Sequence, residues 1–250
     1  MHYVELMRAR RALIWYGGIL FSCVALGLAL AYKDGAPHIQ MSHASNPMIP
    51  IQYIIAGSAF GPLILAAFMA VGLDAEYKTV AITWTRPVSR LAIALRYVAV
   101  DVGTLLAAWA ITLAAAFTVI FAIGIGKYLV VGPHVESFGA LVFGAAVMWY
   151  GLVVLVTTLL PGRGTAIAGA SWGYALIVPG LASIPFPPLL HQAMVALNYL
   201  NPMAYIGNQG SSSHPLIPGS AEQHAVAAWL IGLAAVAIAT QLWTKREVPA

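Results

Sequence analysis

The chain has 250 residues, 61% of them hydrophobic and only 8% charged, with a mean hydropathy of +0.85. A soluble globular domain carries about 45–50% apolar and about 25% charged residues, so the composition excludes an ordinary soluble fold and points to a polytopic membrane protein with short loops. The net charge of +4 would suit a nucleic-acid binder, but the basic residues flank apolar runs, where cytoplasmic loops collect lysine and arginine.

In chain order, residues 1–11 (Met-His-Tyr-Val-Glu-Leu-Met-Arg-Ala-Arg-Arg) place Tyr3, Val4 and Met7, with Leu6 at the edge, on one helical face and Glu5, Arg8 and Arg11 around the other. This pattern predicts an interfacial helix on the cytoplasmic leaflet; an ordinary basic flank is the plainer alternative. A bilayer core needs about 20 apolar residues per helix, and six runs meet that length, at about 12–32, 51–73, 91–125, 138–160, 165–184 and 225–243. The first run is too long for a signal-peptide core and lacks a small-residue cleavage site, so it is expected to stay as an anchor. Cys23 lies inside it as the single cysteine, which leaves no intrachain disulfide and reads as a small packing residue. Gly57, Gly61 and Pro62 interrupt the second run and predict a kink near Pro62.

Residues 74–90 form the one sizeable charged segment between spans. Ala75 to Thr85 has no glycine or proline, so a short helix is expected there with Asp74 as its N-cap, ended by Pro87. The third run exceeds the length needed to cross, so its first turns, with Arg96, are expected to project below the membrane or snorkel. With six spans, both termini fall in the cytoplasm. Arg8, Arg10, Arg11, Lys78, Arg86, Arg90, Arg96, Arg163, Lys245 and Arg246 then lie inside and only Lys33 and Lys127 outside, a bias that fixes the orientation. Between the fifth and sixth runs, residues 189–200 are apolar but too short to span, and Asn201-Pro202 interrupts them. Two short helices re-entering the outer leaflet are expected there. No internal repeat or second domain is visible, so the whole chain, 1–250, reads as a single transmembrane domain.

Glu76, Thr79 and the string Thr85-Arg86-Pro87-Val88-Ser89-Arg90 resemble the signature of ABC-2 type transporter permeases. There an acidic residue follows the second span, a threonine comes next, and a Ser/Thr-Arg-Pro-hydrophobic-Ser/Thr-Arg string precedes the third. One position departs from the pattern: Lys78 stands where the family has a glycine. The layout is also similar over the whole chain, in the type V manner, and residues 197–202 (Leu-Asn-Tyr-Leu-Asn-Pro) resemble the family's outer hairpin. The resemblance implies the membrane half of an exporter in a cell (inner or plasma) membrane. Two such halves, identical or related, would pair, and each would dock a separate P-loop ATPase that holds ATP and Mg. Residues 74–90 would be the coupling helix, with Glu76, Tyr77, Thr79, Trp84, Arg86, Pro87 and Arg90 as its docking residues. Independently, Tyr77 and Trp84 are seven apart and share a helical face. They are aromatic types enriched at interface hot spots, although membrane-interface aromatics have the same look.

No catalytic constellation is found. The nearest P-loop match, Gly124-Ile125-Gly126-Lys127, has Phe121 for the first glycine and Tyr128 for the hydroxyl residue. ATP hydrolysis is therefore expected in another chain, with no cofactor and no metal in this one. Asp101 is the only acid inside an apolar run and is a functional candidate for that reason. Arg96, five residues before it, is badly spaced for a pair on one helix, so a partner from another helix or subunit is expected. His38, His43, His134, His191, His214 and His224 all fall outside and are expected to be solvated. Gly57/Gly61 and Gly169/Gly173 have the small-xxx-small spacing that lets helices approach closely. The rival class is an ion-coupled carrier using Asp101 as its cation or proton site. Carriers of that kind often carry repeated halves, and none is visible. An intramembrane enzyme is a third class. The alanine and glycine usage is compatible with a bacterial source, and the substrate cannot be read from the chain.

Overall fold

The computed structural model describes residues 2–33, 48–77, 89–182, 184, 187–207 and 217–245. The elements run α1 (His2–Ala31), β1 (Ile49–Pro50), α2 (Ile51–Gly57), α3 (Phe60–Met69), α4 (Gly72–Tyr77), α5 (Arg90–Ala122), β2 (Leu129–Val130), α6 (Val135–Leu159), α7 (Gly164–Ala182), α8 (Pro188–Asn198), α9 (Pro202–Gly207) and α10 (Ala221–Lys245). The two short strands pair in parallel, Ile49 with Leu129 and Pro50 with Val130. Among the described residues, five helical stretches are long and apolar enough to cross a membrane: Glu5–Leu30, Ile51–Asp74, Arg90–Ala122, Val135–Leu159 and Ala221–Lys245. α7 is a further long helix of 19 residues with Pro179 inside it. Trp15, Phe21, Phe68, Phe121, Leu176 and Leu230 point outward and are exposed. So much exposed apolar surface is expected of a chain solvated by lipid rather than water, and the chain is an all-α membrane protein.

The core forms around α6 and α10, which run parallel. His134 meets Glu222 at one end, Trp229 Nε1 donates to Ala140 O at 3.1 Å, and Gly151 lies against Gly232 further along. Ala225, Ala228, Gly232, Ala235 and Ala239 form the buried stripe of α10. A Cβ on Gly151 would stand 2.6 Å from Gly232 O, and one on Gly232 would stand 2.8 Å from the Met148 backbone. Small residues at this crossing let two backbones touch, which is how helices gain packing energy in lipid.

Several expectations change in the structure. The first 11 residues do not form a separate interfacial helix; α1 is continuous through them into the first apolar run. Part of its polar face also turns inward, since Glu5 is buried and Arg8 half-buried while Arg11 and the apolar Leu6 are exposed. The break expected near Pro62 is present: it falls at Ser58–Ala59, between α2 and α3, and Ser58 is the residue four before Pro62, where a proline leaves the carbonyl without its helical N–H partner. Pro62 sits in the first turn of α3, where a missing N–H leaves no intrahelical bond unmade. Ser58 Oγ donates to Ile55 O at 2.6 Å and accepts Trp109 Nε1–H at 2.9 Å, so the break is satisfied from within and tied to α5. Of the glycines with close-approach spacing, only Gly61 is at a contact, against Tyr16 and Thr112; Gly57, Gly169 and Gly173 face open space. Cys23 is exposed on the outward face of α1 rather than packed. His224 is buried and packs edge-on against Tyr205 at 5.5 Å, so it is not a solvated loop residue; His38, His43 and His214 lie outside the described residues.

The third run behaves as its length implies. At about 1.5 Å per residue the 33 residues of α5 reach roughly 50 Å, against a hydrocarbon core of about 30 Å. α5 ends at Ala122 with Ile123 as its C-cap, and Gly124 follows with φ 75°, a left-handed position glycine takes without a Cβ clash. This is the P-loop-like stretch, and its backbone is a helix stop followed by one 3₁₀ turn.

The short pair α8 and α9 forms a hairpin against α7. Asn201 Nδ2 donates to Ala175 O at 3.1 Å, and its Oδ1 accepts Met203 N–H at 2.9 Å. Tyr174 OH donates to Leu197 O. Ala175 lies seven residues before the end of α7, so the hairpin turn sits roughly 10 Å short of that end. The hairpin therefore runs down beside α7 instead of lying across its tip.

Candidate functional site

Charged side chains gather at the end of the molecule where α1 and α5 begin and where α4, α6 and α10 stop. Asp101, eleven residues into α5, is completely buried. One carboxylate oxygen accepts a hydrogen bond from Arg8 Nη2 of α1, and the other accepts Tyr150 OH of α6 at 2.9 Å. The Arg8 guanidinium also lies over the Tyr97 ring, 4.9 Å from its centroid. Glu5, one turn before Arg8, is buried beside this cluster. A Cβ on Gly72 would collide with the Arg8 guanidinium, so glycine at the start of α4 makes room for the pair. One carboxylate thus joins three helices that are remote in sequence. An unpaired charge at the centre of a membrane helix costs about 2.5–3.5 kcal/mol or more, and pairing with hydrogen bonds offsets that cost.

Asp74 makes a second junction. It is not the N-cap of a new helix; it lies inside α4, which continues the second span to Tyr77. Its carboxylate reaches the turn between α6 and α7, accepting Gly162 N–H at 2.7 Å and Gly164 N–H at 3.0 Å. The amides at a helix start have no intrahelical acceptor and favour negative charge. Asp74 answers both needs at the start of α7. Gly162 takes φ 78°, and a Cβ on Gly164 would meet Asp74 Oδ2 at 2.8 Å; the Pro161-Gly162-Arg163-Gly164 turn is shaped for this bond.

Arg90 makes a third junction. Ser89 caps α5 by accepting Ala92 N–H at 3.2 Å. Arg90, next in the chain, donates from Nη1 to Thr244 O in the last turn of α10 at 3.3 Å.

The candidate docking residues sit between these junctions. Glu76 and Tyr77 are the last two residues of α4. Thr79, Trp84, Arg86 and Pro87 fall within 78–88, outside the described residues, as does most of the expected helix 75–85. Arg90 begins α5 and contacts α10. Arg96 is half-buried on α5, and the partner of Asp101 is Arg8. Both helices that bound residues 78–88 are therefore anchored, α4 to the α6–α7 turn through Asp74, and α5 to α1, α6 and α10 through Asp101 and Arg90. Arg8, Tyr150 and the anchoring use of Asp74 were missed in the sequence. The available signal was the buried acid itself, which demands a cation from another helix. Among the described residues, no three His, Cys, Asp or Glu side chains are grouped so as to hold a metal ion.

No family model, curated protein or solved structure matches this chain. Its chemistry is read from its own geometry.

Proposed function

We propose that the chain is the transmembrane permease subunit of an ATP-binding-cassette exporter, with six spans of which α7 is the fifth, and with both termini in the cytoplasm. A proline within a spanning helix is tolerated where neighbouring groups satisfy the backbone, and the hairpin packed on α7 supplies such neighbours. In this reading residues 78–88, extended by Glu76, Tyr77 and Arg90, seat in a separate P-loop ATPase that binds ATP and Mg. Two ATPase copies and a second permease, identical or related, complete the transporter. The hairpin α8–α9 lies in the outer leaflet of a cell membrane, and a bacterial source fits the composition.

The observation that carries the reading is the pair of anchored helix ends flanking residues 78–88. A push delivered there is passed through Asp74 to α7, and through Arg90 and Asp101 to α10, α1 and α6. A loop serving only as a connection needs no such bracing. Both oxygens of Asp101 are already engaged, which counts against the rival carrier reading, in which the same carboxylate binds a transported cation.

The test is affinity purification of the tagged chain from mild detergent with mass spectrometry of what accompanies it. A P-loop ATPase is expected to co-purify with the native chain and to be lost with Arg86→Glu. Recovery of the chain alone, or with copies of itself only, overturns the proposal.

A further inference from the structure

A groove of about 760 Å³ runs between α1 and α5, lined by Leu6, Arg10, Leu13 and Ile14 on one side and by Val100 and Gly103 on the other. Its wall is apolar apart from two side chains. Thr104 Oγ1 is already used, donating to Val100 O at 2.7 Å. Arg10 is the other; it is exposed, and it makes no hydrogen bond or ion pair among the described residues. Arg11, next to it, is exposed and unpaired in the same way. Arg8, the third arginine of this flank, is taken by Asp101. The groove thus carries an uncompensated guanidinium in its own open wall.

The level of Arg10 in the bilayer narrows the choice of occupant. From Ala12 to Ala31, α1 carries no charge. That length is roughly 30 Å, which matches a hydrocarbon core of about 30 Å. Arg10 and Arg11 therefore stand where the headgroups begin, and Leu13 and Ile14 carry the groove into the hydrocarbon. An occupant must be anionic at one end and apolar at the other. A free phosphate would leave the apolar half unfilled. A second copy of the chain brings no described acid to this level, because Glu5, Asp74 and Asp101, the acids at this end whose side chains the structure describes, are all buried. A zwitterionic lipid brings a cation of its own to two unpaired arginines. We propose that the groove binds an anionic glycerophospholipid of the adjoining leaflet, its phosphate accepting from the Arg10 guanidinium and the start of one acyl chain lying along Leu13, Ile14 and Gly103. The fork of N–H donors on arginine matches two phosphate oxygens, and basic pockets between spanning helices hold anionic headgroups in this way. A Cβ on Gly103 would meet nothing within 4 Å, so α5 leaves its side of the groove clear. This inference rests on the membrane placement alone and holds whether or not an ATPase drives the chain.

The experiment uses the purified full chain in phosphatidylcholine nanodiscs with a trace of one of two photoreactive lipids. These are a phosphatidylglycerol and a phosphatidylcholine, each with a diazirine near the top of one acyl chain. Adducts of the phosphatidylglycerol probe are expected to concentrate on the peptides holding Leu13, Ile14 and Gly103, above those on the exposed face of α10 around Leu230 and Leu233. The phosphatidylcholine probe is expected to label both places alike. Arg10→Gln is expected to lower the phosphatidylglycerol adducts in the groove about fivefold and to leave the phosphatidylcholine adducts unchanged. Gly103→Leu fills the groove at a position with open space around it, and is expected to cut the phosphatidylglycerol adducts about tenfold. Arg163→Gln, at the same end but outside the groove, is expected to leave them unchanged. Equal labelling of the groove by the two probes would overturn the proposal, as would phosphatidylglycerol labelling that resists both Arg10→Gln and Gly103→Leu. So would equal losses with Arg10→Gln and Arg163→Gln, which report only the general attraction of a basic surface, and so would a groove that neither probe labels because a second copy covers it.

Discussion

Asp101 and Asp74 use the same chemistry for different ends. Asp101 is buried with a cation and a phenol, so its removal strands Arg8 in a poorly solvated place. Breaking a buried pair from one side costs about 3–5 kcal/mol, whereas replacing both partners by apolar groups is often close to neutral. Asp101→Leu and Arg8→Met are each expected to lower the thermal midpoint in detergent and the amount of protein in the membrane, and the double variant is expected to recover most of both. A double variant as impaired as the sum of the singles would show that the pair is not the interaction at stake. Asp74 bonds two backbone amides instead, each charge-assisted bond contributing about 1.5–3 kcal/mol. Asp74→Ala should therefore loosen the α6–α7 turn, read as faster amide hydrogen exchange at residues 162–165, with Asp74→Asn intermediate because it keeps one acceptor oxygen. Unchanged exchange in both variants would remove Asp74 as an anchor. The need of Asp101 for a partner was legible in the sequence, because an acid in an apolar run must be neutralised. That the partner is Arg8 was not, since the two are 93 residues apart and Arg8 shares its flank with Arg10 and Arg11.

Helix positions follow from apolar run length, and the five helical stretches long and apolar enough to cross a membrane fall within a few residues of those runs except at α1, where the basic flank joins the helix. The amphipathic pattern of residues 1–11 was misleading because it assumes that polar faces meet water. Here part of the polar face meets another helix, and the apolar Leu6 faces outward. Glycine spacing was equally ambiguous. Gly57/Gly61 and Gly169/Gly173 have the expected repeat, but the tightest crossing joins Gly151 to Gly232 on different helices, and no single-helix spacing reveals a pairing between helices. The distinction is measurable. Gly151→Leu and Gly232→Leu are expected to abolish recovery of folded protein in size-exclusion profiles, because backbone atoms cannot yield to a new side chain. Gly57→Leu and Gly169→Leu are expected to be recovered at native levels. The hairpin gives a further prediction: Asn201→Ala removes the bond to Ala175 O, so a cysteine placed at Leu197 should react faster with a membrane-impermeant maleimide. Equal rates would mean that Asn201 does not hold the hairpin in place.

At the scale of the whole molecule, three side-chain junctions converge on the helices that bracket residues 78–88. Asp74 ties α4 to α7, Arg90 ties α5 to α10, and Asp101 ties α5 to α1 and α6. A bundle held only by small-residue packing could shear helix by helix, whereas these junctions couple α4 and the start of α5 to most of the long helices. That is the mechanical property required of a subunit driven from outside by a nucleotide-hydrolysing partner. In the proposed transporter this partner sits on residues 78–88. The most direct measurement places a photocrosslinking residue at Trp84 in the otherwise native chain, in intact membranes of the source cell, and identifies the adduct by mass spectrometry. One dominant adduct with a P-loop ATPase is expected, and it should shrink when Arg86 is replaced by Glu. Adducts with lipid or with the chain itself, and none with an ATPase, would contradict it.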